Sequence, residues 1–168
     1  MFKINDYVVY KMNGVCQIID IKKEKFAGDN REYYILQTVY GKPSTLYVPV
    51  DNEALVGRMK RVISSEKIYE IINAIKKDDI SWNDNERART REFNDIVSRG
   101  DCTELFSLVR TLYQNKREIE GKGKNFRVSD KKIMDDAEKI LYEEFAMSLN
   151  IEPEMVISFI QTELEKNK

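Results

Sequence analysis

Tyr7-Val8-Val9-Tyr10-Lys11-Met12-Asn13-Gly14-Val15-Cys16-Gln17-Ile18-Ile19-Asp20-Ile21 sets the architecture of the first third of the chain. Two β-branched and aromatic runs flank Asn13-Gly14. An Asn-Gly pair predicts a two-residue type I′ hairpin turn, because both residues tolerate positive φ. The segment therefore reads as strand, turn and return strand. Further along, Gly28-Asp29-Asn30 predicts a second turn, Tyr33 to Tyr40 a third strand, Gly41 to Ser44 a turn, and Thr45 to Val50 a fourth strand. Pro49 cannot donate to a ladder and belongs at a strand end or an edge. Four or five short strands within residues 1–60 predict a small, strongly bent barrel.

Beyond residue 60 the apolar period changes from two to about 3.6. Ser64 or Ser65 predicts a cap for a helix with Ile68, Ile71, Ile72 and Ile75 on one face. Asp84 to Ser98 predicts a helix with polar first turns and Phe93, Ile96 and Val97 later, stopped by Gly100. Asp101-Cys102-Thr103-Glu104 resembles a capping box before the stripe Leu105, Phe106, Val109, Leu112 and Tyr113. Gly121 and Gly123 interrupt the pattern. Ser129 predicts the cap of a helix carrying Ile133, Ala137, Ile140, Leu141, Phe145 and Leu149, and Pro153 suits the first turn of a last helix. The expectation is an α+β chain in two domains: residues 1–60 a β-barrel, and residues 61–168 an all-α domain of about five helices.

Composition narrows the function. The 168 residues are 42% hydrophobic, enough for packed cores. No apolar run approaches the roughly 20 residues that span a bilayer, and the first residues lack a signal-peptide core, so a cytoplasmic protein without membrane contact is expected. The chain has no histidine. Ser-His-Asp and Cys-His catalysis and His-containing zinc sites are thereby excluded. Cys16 and Cys102 each lie in apolar patterns and read as buried structural thiols. No phosphate-binding loop or dinucleotide fingerprint is present. An enzyme is not expected, and no cofactor or metal is implied.

Net charge is −1, yet it is unevenly spread. Between Arg110 and Lys132 eight bases face three acids, and from Ile133 onward nine acids face three bases. Such a basic segment suits either an anionic partner or a solvated helix connection. The one tryptophan, Trp82, lies in Lys76-Lys77-Asp78-Asp79-Ile80-Ser81-Trp82-Asn83-Asp84-Asn85-Glu86-Arg87, where only Ile80 could join it in an apolar cluster. A large ring on a polar segment is either an anchor for a core or a wedge for something outside the protein.

The order of several pieces resembles the CarD/CdnL family of bacterial RNA polymerase-binding transcription regulators. Phe2-Lys3-Ile4-Asn5-Asp6-Tyr7-Val8-Val9-Tyr10 resembles the family's F-x-x-G-D-x-V-V-Y, with Asn5 for glycine. Asn13-Gly14-Val15, Glu32 to Leu36, Leu46 to Pro49, Val56-Gly57-Arg58, Trp82, Gly100-Asp101, Val109 to Leu112 and Ser129 to Lys132 follow in the family's order. The chain departs at Asn83 to Glu86, which resembles one extra helical turn, and at Tyr47, where some relatives carry arginine.

The resemblance implies a Tudor-like or SH3-like barrel, docking on the RNA polymerase β subunit by strand pairing along Thr45, Leu46, Tyr47, Val48 and Pro49. It also implies a helical domain on promoter DNA at the upstream fork, largely independent of base sequence. Trp82 would be the wedge there, with Arg87, Arg89, Arg91, Lys131 and Lys132 on phosphates. The expected outcome is stabilisation of the open promoter complex by a monomeric protein. The alternative is a protein–protein adaptor of the transcription machinery that does not touch DNA. Arg87 and Arg91 share a helix face while Arg89 points elsewhere, so at least one of the three is expected to be a solvated charge, and Arg89 is the weakest of these phosphate contacts.

Overall fold

The computed structural model describes residues 1–26, 28–74 and 80–167. Ile75 and the polar residues 76–79 ahead of Trp82 lie outside the described residues. The chain divides into two compact units, Met1–Val62 and Ile63–Lys168. The join falls two residues beyond the expected one, because Arg61 belongs to the last strand of the first unit.

The first unit is a five-stranded antiparallel sheet. Its strands are β1 (Tyr7–Tyr10), β2 (Val15–Phe26), β3 (Asp29–Thr38), β4 (Thr45–Pro49) and β5 (Met59–Arg61), in the order β4-β3-β2-β1-β5. A four-residue helix, α1 (Glu53–Val56), precedes β5 and is capped by Asn52. Val8, Tyr10, Cys16, Ile18, Tyr34, Leu36, Val48 and Met59 form one buried cluster. The register slips between Ile18 and Asp20, leaving Ile19 40% exposed. This bulge inverts the alternation of β2, so that Ile18 before it and Ile21 after it both pack with the cluster. Among the described residues the end strands β4 and β5 are not paired with each other, so hydrogen bonding does not close the sheet into a barrel.

Two turns differ from expectation. The β1–β2 connection is a 3-10 turn, Lys11–Asn13, with positive φ at Lys11 and Gly14 rather than at Asn13. A two-residue turn on Asn13-Gly14 would pair Met12 with Val15 and therefore Tyr10 with Gln17, bringing a polar side chain onto the core face. The observed register opposes Val8 to Cys16, both fully buried, so the packed face overrides the turn propensity. At the second turn Asp29 and Asn30 already pair in β3, and Gly28 has a positive φ, 90°.

The second unit contains α2 (Ser65–Asn73), α3 (Glu86–Arg99), α4 (Cys102–Gly121), α5 (Val128–Leu149) and α6 (Val156–Lys166), the last entered through a 3-10 turn at Pro153–Met155. Ser64, Asn85 and Asp101 cap α2, α3 and α4 by accepting from Lys67, Ala88 and Glu104 backbone N–H groups. The capping box at Asp101 is half formed, because the Glu104 carboxylate turns instead to the Arg99 guanidinium at 3.0 Å. Ser129 is not the cap of α5. That position is Arg127, whose side chain makes no capping bond, and the Ser129 hydroxyl bonds to Glu86. α5 is central, packing against α2, α3, α4 and α6. Both cysteines are buried thiols, and that of Cys102 donates to the buried Glu144 carboxylate. Among the described residues no helix is long and apolar enough to cross a membrane.

Glu138 on α5 is a local weak point. Burial holds its carboxyl above the ordinary carboxylate range and Asp135 adds to this, while Tyr113, Lys131 and Lys116 oppose it. A raised folded-state pKa means the folded chain binds the proton more tightly. Its stability contribution is full below the unfolded carboxylate pKa and is lost as pH rises through the folded value. Glu138→Gln cannot ionise. It is expected to unfold at a higher temperature than wild type at neutral pH, with the difference shrinking towards pH about 4 in thermal scans.

Candidate functional site

Trp82 sits in the non-helical lead-in to α3. The Asn83 side chain accepts the Asn85 backbone N–H at 2.9 Å, and Asn85 then caps the helix. Residues 83–85 thus form a turn and a cap, and only Glu86 of the expected extra turn is helical. The Thr111 hydroxyl bonds to the Ile80 carbonyl at 3.4 Å, tethering the other end of the lead-in to α4.

The indole is half-buried. The Phe93 ring lies edgewise to it, centroids 6.0 Å apart, and the Arg89 guanidinium lies over it at 4.3 Å from the ring centre. The ring is thus both a partial anchor and a partly solvent-facing surface. The contact with Phe93 shows that the core reaches closer to Trp82 than the polar sequence suggests.

Arg89 departs most from expectation. It is 3% exposed, and its Nε and Nη2 donate to the two carboxylate oxygens of Asp130 at 3.1 and 2.8 Å. Its Nη1 donates to the Asn83 carbonyl at 2.8 Å. The guanidinium is therefore committed inside the protein, neither solvated nor presented to a phosphate. The helical period carries the signal. Arg89, Phe93 and Ile96 recur on the buried face of α3, as Asp130, Ile133 or Met134, and Ala137 do on α5. Opposite charges on two apolar stripes can only be accommodated as a pair. Asp130, fully buried, is the functional-site residue that charge counting alone misses.

Arg87 and Arg91 are exposed and one turn apart. With Glu86, Thr90 and Ser129 they line a shallow groove. Glu86 joins the two helix starts, bonding to Arg127 and to Ser129. Lys131 and Lys132 are exposed at the start of α5, but each pairs with an acid four residues on, Asp135 and Asp136. Exposed pairs of this kind hold little energy, so an incoming phosphate could displace the acids at small cost. The arrangement that results is an aromatic ring held on a fixed cation, and two exposed guanidinium groups on a different face of the same helix.

The first unit carries a separate feature. β4 is an end strand whose Leu46 and Val48 turn to the core, while Thr45 and Tyr47 face outward. Tyr47, 44% exposed, meets Phe26 and Tyr33 edgewise at 5.0 and 6.3 Å, so it neither packs in the core nor stands alone. The opposite edge, β5, has three residues, two of them Lys60 and Arg61. Short, charged edges resist pairing with a further strand, and the five-residue β4 is the more receptive edge.

Residues 2–63 match the family model for the CarD-like/TRCF RID domain, and residues 68–161 match that for the CarD C-terminal domain. The chain belongs to the CarD family. Over 162 residues it is 24% identical to the "Putative transcription factor YdeB" of Bacillus subtilis (strain 168), an alignment covering 95% of this chain and 99% of that protein. This CarD-family chain is accordingly a transcription regulator. Its two matched regions correspond to the sheet unit and to the helical unit bearing Trp82.

The two kinds of ion pair separate energetically. Arg89→Ala strands a buried carboxylate and is expected to destabilise the chain by about 3–5 kcal/mol in urea denaturation. Lys132→Ala removes only an exposed pair and is expected to change stability by less than about 1 kcal/mol.

Proposed function

We propose that this CarD-family regulator docks on the RNA polymerase β subunit through β4 and stabilises the open promoter complex with Trp82 at the upstream edge of the bubble. The observation that carries the reading is the half-buried indole resting on Arg89, at the start of a helix that also exposes Arg87 and Arg91. The phosphate contacts in this reading are Arg87, Arg91, Lys131 and Lys132. Arg89 is removed from that set by its bond to Asp130.

A chain of net charge −1 has little sequence-independent affinity for DNA, since that needs several uncompensated Lys or Arg contacts. Docking on polymerase supplies a high effective concentration, so a few contacts suffice. An aromatic wedge gains most where bases are already unstacked, because closed duplex first requires a few kcal/mol per step. Trp82 therefore favours open over closed complex, and about 1.4 kcal/mol of preference moves that equilibrium roughly tenfold. The β4 edge would add a strand of the partner by main-chain hydrogen bonding, with the Phe26, Tyr33 and Tyr47 rings beside it.

The decisive experiment is open-complex lifetime on a housekeeping promoter with purified polymerase. Wild type is expected to lengthen it and Trp82→Ala to lose most of that gain, by up to about tenfold. A wild-type protein that binds polymerase yet leaves the lifetime unchanged would refute the promoter role in favour of the adaptor role. Leu46→Pro and Tyr47→Glu are both expected to abolish capture of the isolated β subunit in pull-down. Tyr47→Glu alters an exposed residue and should keep the fold, so its retention of capture would refute edge docking.

A further inference from the structure

We propose that Arg89, clamped by Asp130, is the positioning residue for Trp82: the ion pair exists to hold the indole in a preset orientation, not to contact DNA. The proposal rests on the reading of Trp82 as the DNA-facing ring and deepens it.

Four observations converge. The guanidinium is bidentate on Asp130, which fixes both its plane and its depth. Its Nη1 donates to the carbonyl of Asn83, the residue after Trp82. The same guanidinium lies over the indole at 4.3 Å. Phe93, four residues further along α3, stands against the ring at 6.0 Å. One side chain thus holds both the backbone next to Trp82 and the ring itself.

The lead-in is not helical, so no helix fixes the direction of the Trp82 side chain. A tryptophan has only two rotatable side-chain bonds. A cation over the ring and an aromatic edge beside it are sufficient to set both. Ordering the ring then belongs to folding of the helical unit, and binding is spared that entropy loss. Arginine is needed specifically. Lysine can neutralise Asp130, but it has neither the planar surface for stacking nor the fork that reaches Asp130 and Asn83 together.

The test uses the full-length chain, whose single tryptophan makes its emission a direct report on the ring. Arg89→Met combined with Asp130→Leu replaces the buried pair by apolar groups of similar volume, a change that cores often tolerate. Acrylamide quenching and the emission maximum are measured in this double variant, beside thermal unfolding, β-subunit capture and open-complex lifetime. The expected result is a folded protein with wild-type capture, a red-shifted emission, and about twofold stronger quenching as the ring, no longer held by the cation, leaves its fixed orientation. Open-complex lifetime falls to the Trp82→Ala value. A folded double variant with unchanged emission and quenching overturns the proposal. If the double variant does not fold, Arg89→Lys decides. It keeps the charge pair, and wild-type emission and quenching in that variant would equally overturn the proposal. The fluorescence result stands apart from the promoter result. If wild type fails to prolong the open complex, the wedge reading falls while quenching still reports whether Arg89 positions the ring.

Discussion

The bidentate ion pair between Arg89 and Asp130 is the constraint on which the helical unit's functional surface depends. Two opposite charges on the apolar stripes of α3 and α5 must meet, because neither can be left alone in a core. Their meeting aligns the starts of the two helices, where Glu86 adds bonds to Arg127 and Ser129. It also leaves the arginine's Nη1 bonded to the backbone of the Trp82 lead-in. A buried ion pair is not in itself an efficient source of stability, since well-packed apolar groups often serve as well. Its value here is geometric, for it supplies a planar cation at a fixed place under an aromatic ring.

The sheet unit obeys a comparable constraint. One apolar face must be served by all five strands, and the bulge after Ile18 lets the long β2 keep contributing to it. The strand order then leaves β4 at one end with its core-facing residues Leu46 and Val48 already satisfied. Among the described residues no strand pairs with its outer edge. The contacts of Tyr47 with Phe26 and Tyr33 put a continuous aromatic surface beside this strand.

Much of the fold is legible in the sequence because it rests on local chemistry. β1, the caps at Ser64 and Asp101, and the left-handed stop at Gly100 depend on residues within a few positions of one another. What the sequence misplaces depends on distant partners. Asn13-Gly14 does not form the turn its propensity favours, because the register is set by Val8 against Cys16. Ser129 does not cap α5, because Glu86, far away in sequence, takes its hydroxyl. Trp82 was legible as an outlier from its polar neighbourhood. Its support by Phe93 and Arg89 was not, since a flat list of neighbours hides which residues share a helix face. Arg89 shows the reverse: spacing separates it correctly from Arg87 and Arg91, but the face it occupies is the buried one.

The proposed function is a division of labour in which an edge strand would recruit the protein and a preset ring would act on the nucleic acid. Neither part needs strong affinity of its own, which accords with a nearly neutral chain. The most direct measurement places 2-aminopurine at the upstream edge of the promoter bubble and follows its fluorescence in preformed polymerase complexes. An indole stacking against the unpaired bases is predicted to quench the probe with wild-type protein and not with Trp82→Ala at equal polymerase occupancy. Identical probe signals for the two proteins would contradict the account.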